Sequence, residues 1–164
     1  APAMSLIENT LITSHSKDVI DKWGIINFKN ISTKTSKIVS EFDVRTPTLD
    51  NTAASLSGGN LQKFVIGREI LENPKVFVVN QPTWGVDAAA AAFIRQSILN
   101  LASQQSAVIV ISQDLDELFE ICDTFAVLTN GYMSRIYELG HLSSEDVGLL
   151  MGGSDLDLDS HAQT

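Results

Sequence analysis

The sequence predicts an α/β fold with a mostly parallel sheet. Two short, unbroken apolar runs, residues 76–79 and 108–111, have the length and β-branched content of strands covered on both faces of such a sheet. Around them, apolar residues return every three or four positions, the period of helices that pack on it. An apolar content of 44% over 164 residues supplies a core for one domain or part of one.

Taken in order, Ser5-Leu6-Ile7-Glu8 is a capping-box pattern that opens a short helix through Ile12. Residues 18–29 are less regular. Ile31, Ile38, Val39 and Phe42 then repeat at helical spacing until Pro47 forces the chain to extend, with Lys29, Lys34 and Lys37 on the solvated face. A polar linker, 48–55, leads to Leu56-Ser57-Gly58-Gly59, which opens a helix with apolar residues at Leu61, Phe64, Val65 and Leu71. The first strand follows Asn73-Pro74. Asp87 is a cap for the next helix, whose buried side is Ile94, Ile98 and Leu101 and whose alanine run, 88–92, has high helix propensity. The second strand precedes a short helix over 114–122. Residues 125–128 and 133–137 form a strand pair around the Asn130-Gly131 turn, and 144–151 form a last helix. The tail, 154–164, has no apolar periodicity and is expected to be mobile. Its alternating Asp155, Asp157 and Asp159 lack the glycine and terminal glutamate of an EF-hand loop, so no metal ligands are assigned.

A net charge of −9 argues against nucleic acid or anionic lipid as the main partner. The single cysteine, Cys122, continues the helical spacing of Leu115, Leu118 and Phe119, which marks a core residue rather than a nucleophile. No stretch approaches the ~20 consecutive apolar residues of a membrane span. The chain is expected to be soluble, with any membrane contact made through a partner.

Chemistry concentrates at Ser57-Gly58-Gly59. The first N–H groups of a helix lack partners, the helix dipole adds positive potential, and glycines let a phosphate approach the backbone. Ser57 is either a plain N-cap or a further hydroxyl donor to that phosphate.

The segment Leu56-Ser57-Gly58-Gly59-Asn60-Leu61-Gln62-Lys63 resembles the signature motif of ABC-type ATPases, and the motifs C-terminal to it keep that family's order. Asn80-Gln81-Pro82-Thr83 stands where the family has its Walker B aspartate, glutamate, proline and threonine. Gly85-Val86-Asp87 resembles the D-loop, and Ser112-Gln113-Asp114-Leu115-Asp116-Glu117 the H-loop region. The resemblance runs from about residue 4 to 153 and implies a partial P-loop NTPase domain. Residues 1–72 would be a helical subdomain carrying the signature, 73–153 the C-terminal part of the α/β core, and 154–164 a flexible acidic tail. The Walker A segment, G-x-x-x-x-G-K-[ST], is missing from the chain.

The resemblance assigns Ser57, Gly58, Gly59, Asn60, Gln62 and Asp87 to nucleotide contact. ATP hydrolysis needs a carboxylate for Mg²⁺ and a group that activates water. Here those positions carry Asn80 and Gln81, and the H-loop histidine position carries Gln113, each replacement retaining hydrogen bonding while losing charge or basicity. Such losses, with Pro82-Thr83-x-Gly85 and an ending of Gly148-Leu149-Leu150-Met151-Gly152-Gly153, resemble the second ATPase half of double-cassette importers of simple sugars and nucleosides. Trp84 departs from that group, which usually has arginine there.

That resemblance implies ATP and Mg²⁺ as cofactors of the full subunit and no hydrolysis by this chain alone. It also implies the other ATPase half and transmembrane permease subunits as partners, and a place on the cytoplasmic face of the membrane. Two alternatives are a soluble ABC-type ATPase without a transport role and a catalytically dead nucleotide-binding or regulatory module. Without the Walker A segment, an unpaired sheet edge is expected to favour self-association.

Overall fold

The computed structural model describes residues 1–14, 19, 23–140 and 142–153. The acidic tail and part of the irregular stretch at 18–29 lie outside them. The chain divides into two compact units, Ala1–Ile111 and Ser112–Thr164. The expected subdomain boundary at 72/73 falls inside the first.

The first unit contains α1 (Leu6–Leu11), α2 (Phe28–Glu41), a 3-10 turn at Ala53–Ser55, α3 (Gly58–Ile70), β1 (Val76–Asn80), α4 (Ala88–Ser103) and β2 (Ala107–Ile111). The capping box forms as the sequence predicts: the Glu8 N–H donates to Ser5 Oγ and the Ser5 N–H returns a bond to Glu8 Oε2 at 2.7 Å. That backbone bond holds the Glu8 carboxyl below its ordinary range. Leu6, Ile38, Phe42, Val44, Ala53 and Phe64 form the helical core, with Leu61, Val65 and Phe93 packed against it. Phe42 and Phe93 meet edge to face at 5.8 Å. Three long polar side chains tie α3 to its surroundings. Lys34 pairs with Glu72 just past its end, Arg68 Nη1 donates to the Asn9 carbonyl at 3.1 Å, and Lys63 Nζ bonds Asp43 at 3.2 Å while lying over the Phe93 ring.

β1 and β2 are parallel, with Val78 opposite Ile109 and Asn80 opposite Ile111, and α4 makes the crossover between them. Asp87 caps α4 through Oδ1 to the Ala90 N–H at 2.9 Å, and the helix buries Ala90, Ile94, Ile98 and Leu101. Among the described residues, the expected cover on both sheet faces is present on one only. Phe77 is 7% exposed, whereas Val76 and Val78 are 60% and 58% exposed and Ile109 and Ile111 stand open beside them. Side chains alternate along a strand, so these four share the face opposite Phe77.

The second unit contains α5 (Leu115–Ile121), β3 (Thr124–Phe125), β4 (Leu128–Thr129), β5 (Tyr132–Met133), β6 (Tyr137–Glu138) and α6 (Ser144–Met151). Val127, Tyr137, Leu142, Val147 and Leu150 form its core, joined by Leu115, Phe119 and Phe125. The predicted strand pair is present but broken in two: β3 pairs with β6, and β4 with β5. Ser134 explains the break. Its N–H donates to the Val127 carbonyl at 2.8 Å, but the Val127 N–H is taken by the Ser134 hydroxyl at 2.9 Å instead of a ladder carbonyl. The turn is as read, with Asn130 and Gly131 at φ +50° and +81°. Cys122, expected in the core, is half-buried, and burial together with the charges of Asp123 and Glu117 pushes its thiol pKa up.

Candidate functional site

The N-terminal turn of α3 is built without a side-chain cap. Ser57 holds the N-cap position in extended conformation, yet its hydroxyl bonds no backbone N–H of the helix. It instead accepts from Asn60 Nδ2 at 2.9 Å, while Asn60 Oδ1 accepts the Arg45 N–H at 2.9 Å. Ser57 and Gly58 are exposed, so the turn offers backbone donors and a hydroxyl to the outside, as an anion site requires.

The same turn sits against the loop that leaves β1. A Cβ on Gly58 would lie 3.4 Å from the Gly85 carbonyl oxygen, and one on Gly59 would lie 3.6 Å from Ala90 Cβ and 3.7 Å from Asp87 Oδ2. One helical turn on, Gln62 Nε2 is 3.4 Å from the Gln81 carbonyl oxygen. Gln81 begins the loop in a left-handed conformation, φ +51°, unusual for a residue with a side chain. Its N–H donates to the Ile111 carbonyl at 2.7 Å and its own carbonyl accepts the Trp84 N–H at 3.2 Å.

No family model matches the chain. It is 34% identical over 153 residues to the nucleoside import ATP-binding protein NupA of Lactococcus lactis, covering 93% of this chain and 30% of that protein. It is 37% identical over 144 residues to the galactose/methyl galactoside import ATP-binding protein MglA of Mannheimia succiniciproducens, covering 88% of this chain and 28% of that protein. Among solved structures, a nucleotide-free ATP-binding cassette from an ABC transporter superposes with a TM-score of 0.66 at 25% identity, covering 92% of this chain and 60% of that one. The cassette MJ0796 bound to ADP and Pi superposes with a TM-score of 0.69 at 20% identity, covering 85% and 58%. The chain belongs to the ABC-type ATPase family. It spans about 30% of the length of the curated relatives it matches.

Within this partial ABC ATPase fold, the first unit brings together Ser57, Gly58, Gly59, Gln62, Gln81 and Asp87. Asn60 braces Ser57 and the Arg45 backbone. Asp87 Oδ1 is engaged in capping α4. Asn80 lies exposed at the end of β1, and Gln113 belongs to the second unit. The residues fit a phosphate better than a cation. The α3 turn presents donors, whereas the Walker B positions present two neutral amides, and the described residues contain no cluster of three His, Cys, Asp or Glu side chains. One participant was missed in the sequence: Arg45, whose backbone N–H reaches Asn60 from 15 positions away. The sequence places Gly85 only in the D-loop-like segment, and the approach of its carbonyl to Gly58 is a backbone contact that leaves no trace in side-chain pattern.

Proposed function

We propose that this chain lends its signature turn to an ATP site whose phosphate loop, Mg²⁺ ligands and water-activating group lie on another ATPase half, as part of an importer for a simple sugar or nucleoside. The observation that carries this reading is the α3 turn. It is exposed, uncapped by side chains and free of Cβ at two successive positions, which suits phosphate oxygens accepting N–H and O–H bonds. The relatives' roles in nucleoside and galactose import support the substrate class. The neutral Asn80 and Gln81 support a division of labour in which this chain positions and polarises the terminal phosphate while the facing half holds Mg²⁺ and directs water.

In this reading the ordered Ser57 hydroxyl and the α3 dipole act on charge that builds on the terminal phosphate. The partners are the facing ATPase half and transmembrane permease subunits, at the cytoplasmic side of the membrane. Among the described residues no helix is long and apolar enough to cross it.

Photolabelling tests the assignment. An ATP analogue carrying its photoreactive group on the γ-phosphate, added to the intact subunit, should label the tryptic peptide 46–63. Labelling confined to other peptides would contradict the proposal.

A further inference from the structure

We infer that Gln62 is a positioning residue, yoking the signature turn to the loop after β1, and not a nucleotide contact. The inference rests on the reading of Ser57 and Gly58 as an ATP contact. Residues four apart share one face of a helix, so Gly58 and Gln62 point the same way. Along that face, Gly58 meets the carbonyl of Gly85, and Gln62 donates to the carbonyl of Gln81. The helix and the loop therefore run side by side in opposite senses, touching at both ends of a four-residue interval.

The Gln62 end is the controlling one. The Gln81 carbonyl takes two donors, Gln62 Nε2 and the Trp84 N–H, while the Gln81 N–H is held by Ile111. These bonds hold a left-handed backbone that an L residue rarely adopts alone. A shift of the α3 turn as phosphate binds is carried through Gln62 to the Gln81 peptide, and so to the loop that ends at Asp87. Asp87 in turn caps α4. Gln62 is half-buried against this loop, whereas Gly58, on the same face, remains exposed at the helix end together with Ser57.

Two substitutions isolate the donor. Gln62→Glu keeps the shape and replaces the amide donor by a carboxylate that repels the Gln81 carbonyl; Gln62→Lys restores a donor. In the 164-residue chain, backbone hydrogen exchange over 83–87 should rise about tenfold in Gln62→Glu and return near the parent rate in Gln62→Lys. Equal exchange in all three would overturn the inference without reference to ATP. In the intact subunit, Gln62→Glu should lower kcat about tenfold with KM for ATP within about twofold of the parent, and Gln62→Lys should recover most of it. A raised KM with unchanged kcat would make Gln62 a ligand contact and overturn the inference. Gly58→Asp serves as the control: parental ATPase in that variant would sink the ATP-site reading, while the exchange measurement would still judge the yoke.

Discussion

Gly67 lies directly beneath the ring of Phe42: a Cβ built on Gly67 would stand 2.5 Å from Phe42 Cγ and 2.6 Å from Cδ2. The contact joins α3 to the end of α2, in the core that backs the signature helix. Gly67 occupies the interior of α3, where alanine would ordinarily gain about 1 kcal/mol in helix propensity. The ring also meets Phe93 edge to face, so a methyl on Gly67 must displace a ring that is already packed on a second neighbour. Overpacking of this kind typically costs about 1–3 kcal/mol. Gly67→Ala is therefore expected to lower stability by about 1–2 kcal/mol, read as an earlier midpoint in urea with unchanged slope. A later midpoint would show that the ring yields freely.

The open face of the two-stranded sheet predicts association. Val76, Val78, Ile109 and Ile111 form a neutral aliphatic surface on an acidic chain, on a sheet that has two strands among the described residues and so presents outer edges to a further strand. Sedimentation equilibrium of the parent should give a mass that rises with concentration. Val78→Lys, which places a charge opposite Ile109, should restore the monomer. A parent that remains monomeric at high concentration would contradict this.

Cys122 should react slowly. Burial, with Asp123 and Glu117 adding negative charge, raises its pKa, so at any pH near 8 less thiolate is present in the folded chain than in the unfolded one. The linkage has a definite sign. The contribution to stability is complete below the ordinary thiol pKa and is lost as pH climbs through the raised folded value. Iodoacetamide labelling at pH 8 should be slower in buffer than in denaturing urea, after correction for solvent. Equal rates would show an exposed, unperturbed thiol.

Side-chain pattern revealed most of the elements, because capping and periodicity are local. Ser5, Asp87 and Asp114 each cap the helix they precede, and Ile94, Ile98 and Leu101 are buried as spaced. Asn130-Gly131 makes its turn because both residues accept positive φ. Three features were not legible. The break in the following hairpin depends on one hydroxyl, Ser134, replacing a carbonyl acceptor. The open sheet face depends on what covers it, which no strand sequence states. In the candidate site the pattern pointed to Ser57, Gly58 and Gly59 as a phosphate-facing turn, but the contacts of the Gln62 side chain and the Gly85 backbone arise only through tertiary approach.

The most direct test of the shared site compares Gly58→Asp with Gln81→Ala in the intact subunit, measuring ATPase and uptake together. Gly58→Asp adds a side chain toward the Gly85 carbonyl and a negative charge where phosphate oxygens would sit. A repulsion of about 3 kcal/mol there corresponds to roughly a hundredfold loss in affinity. Gln81 carries no base or metal carboxylate, so its truncation removes little chemistry. Gly58→Asp is expected to abolish both rates, and Gln81→Ala to lower them by no more than about threefold. Equal losses, or a larger loss at Gln81, would contradict the shared site by assigning the working chemistry to this chain's own Walker B positions.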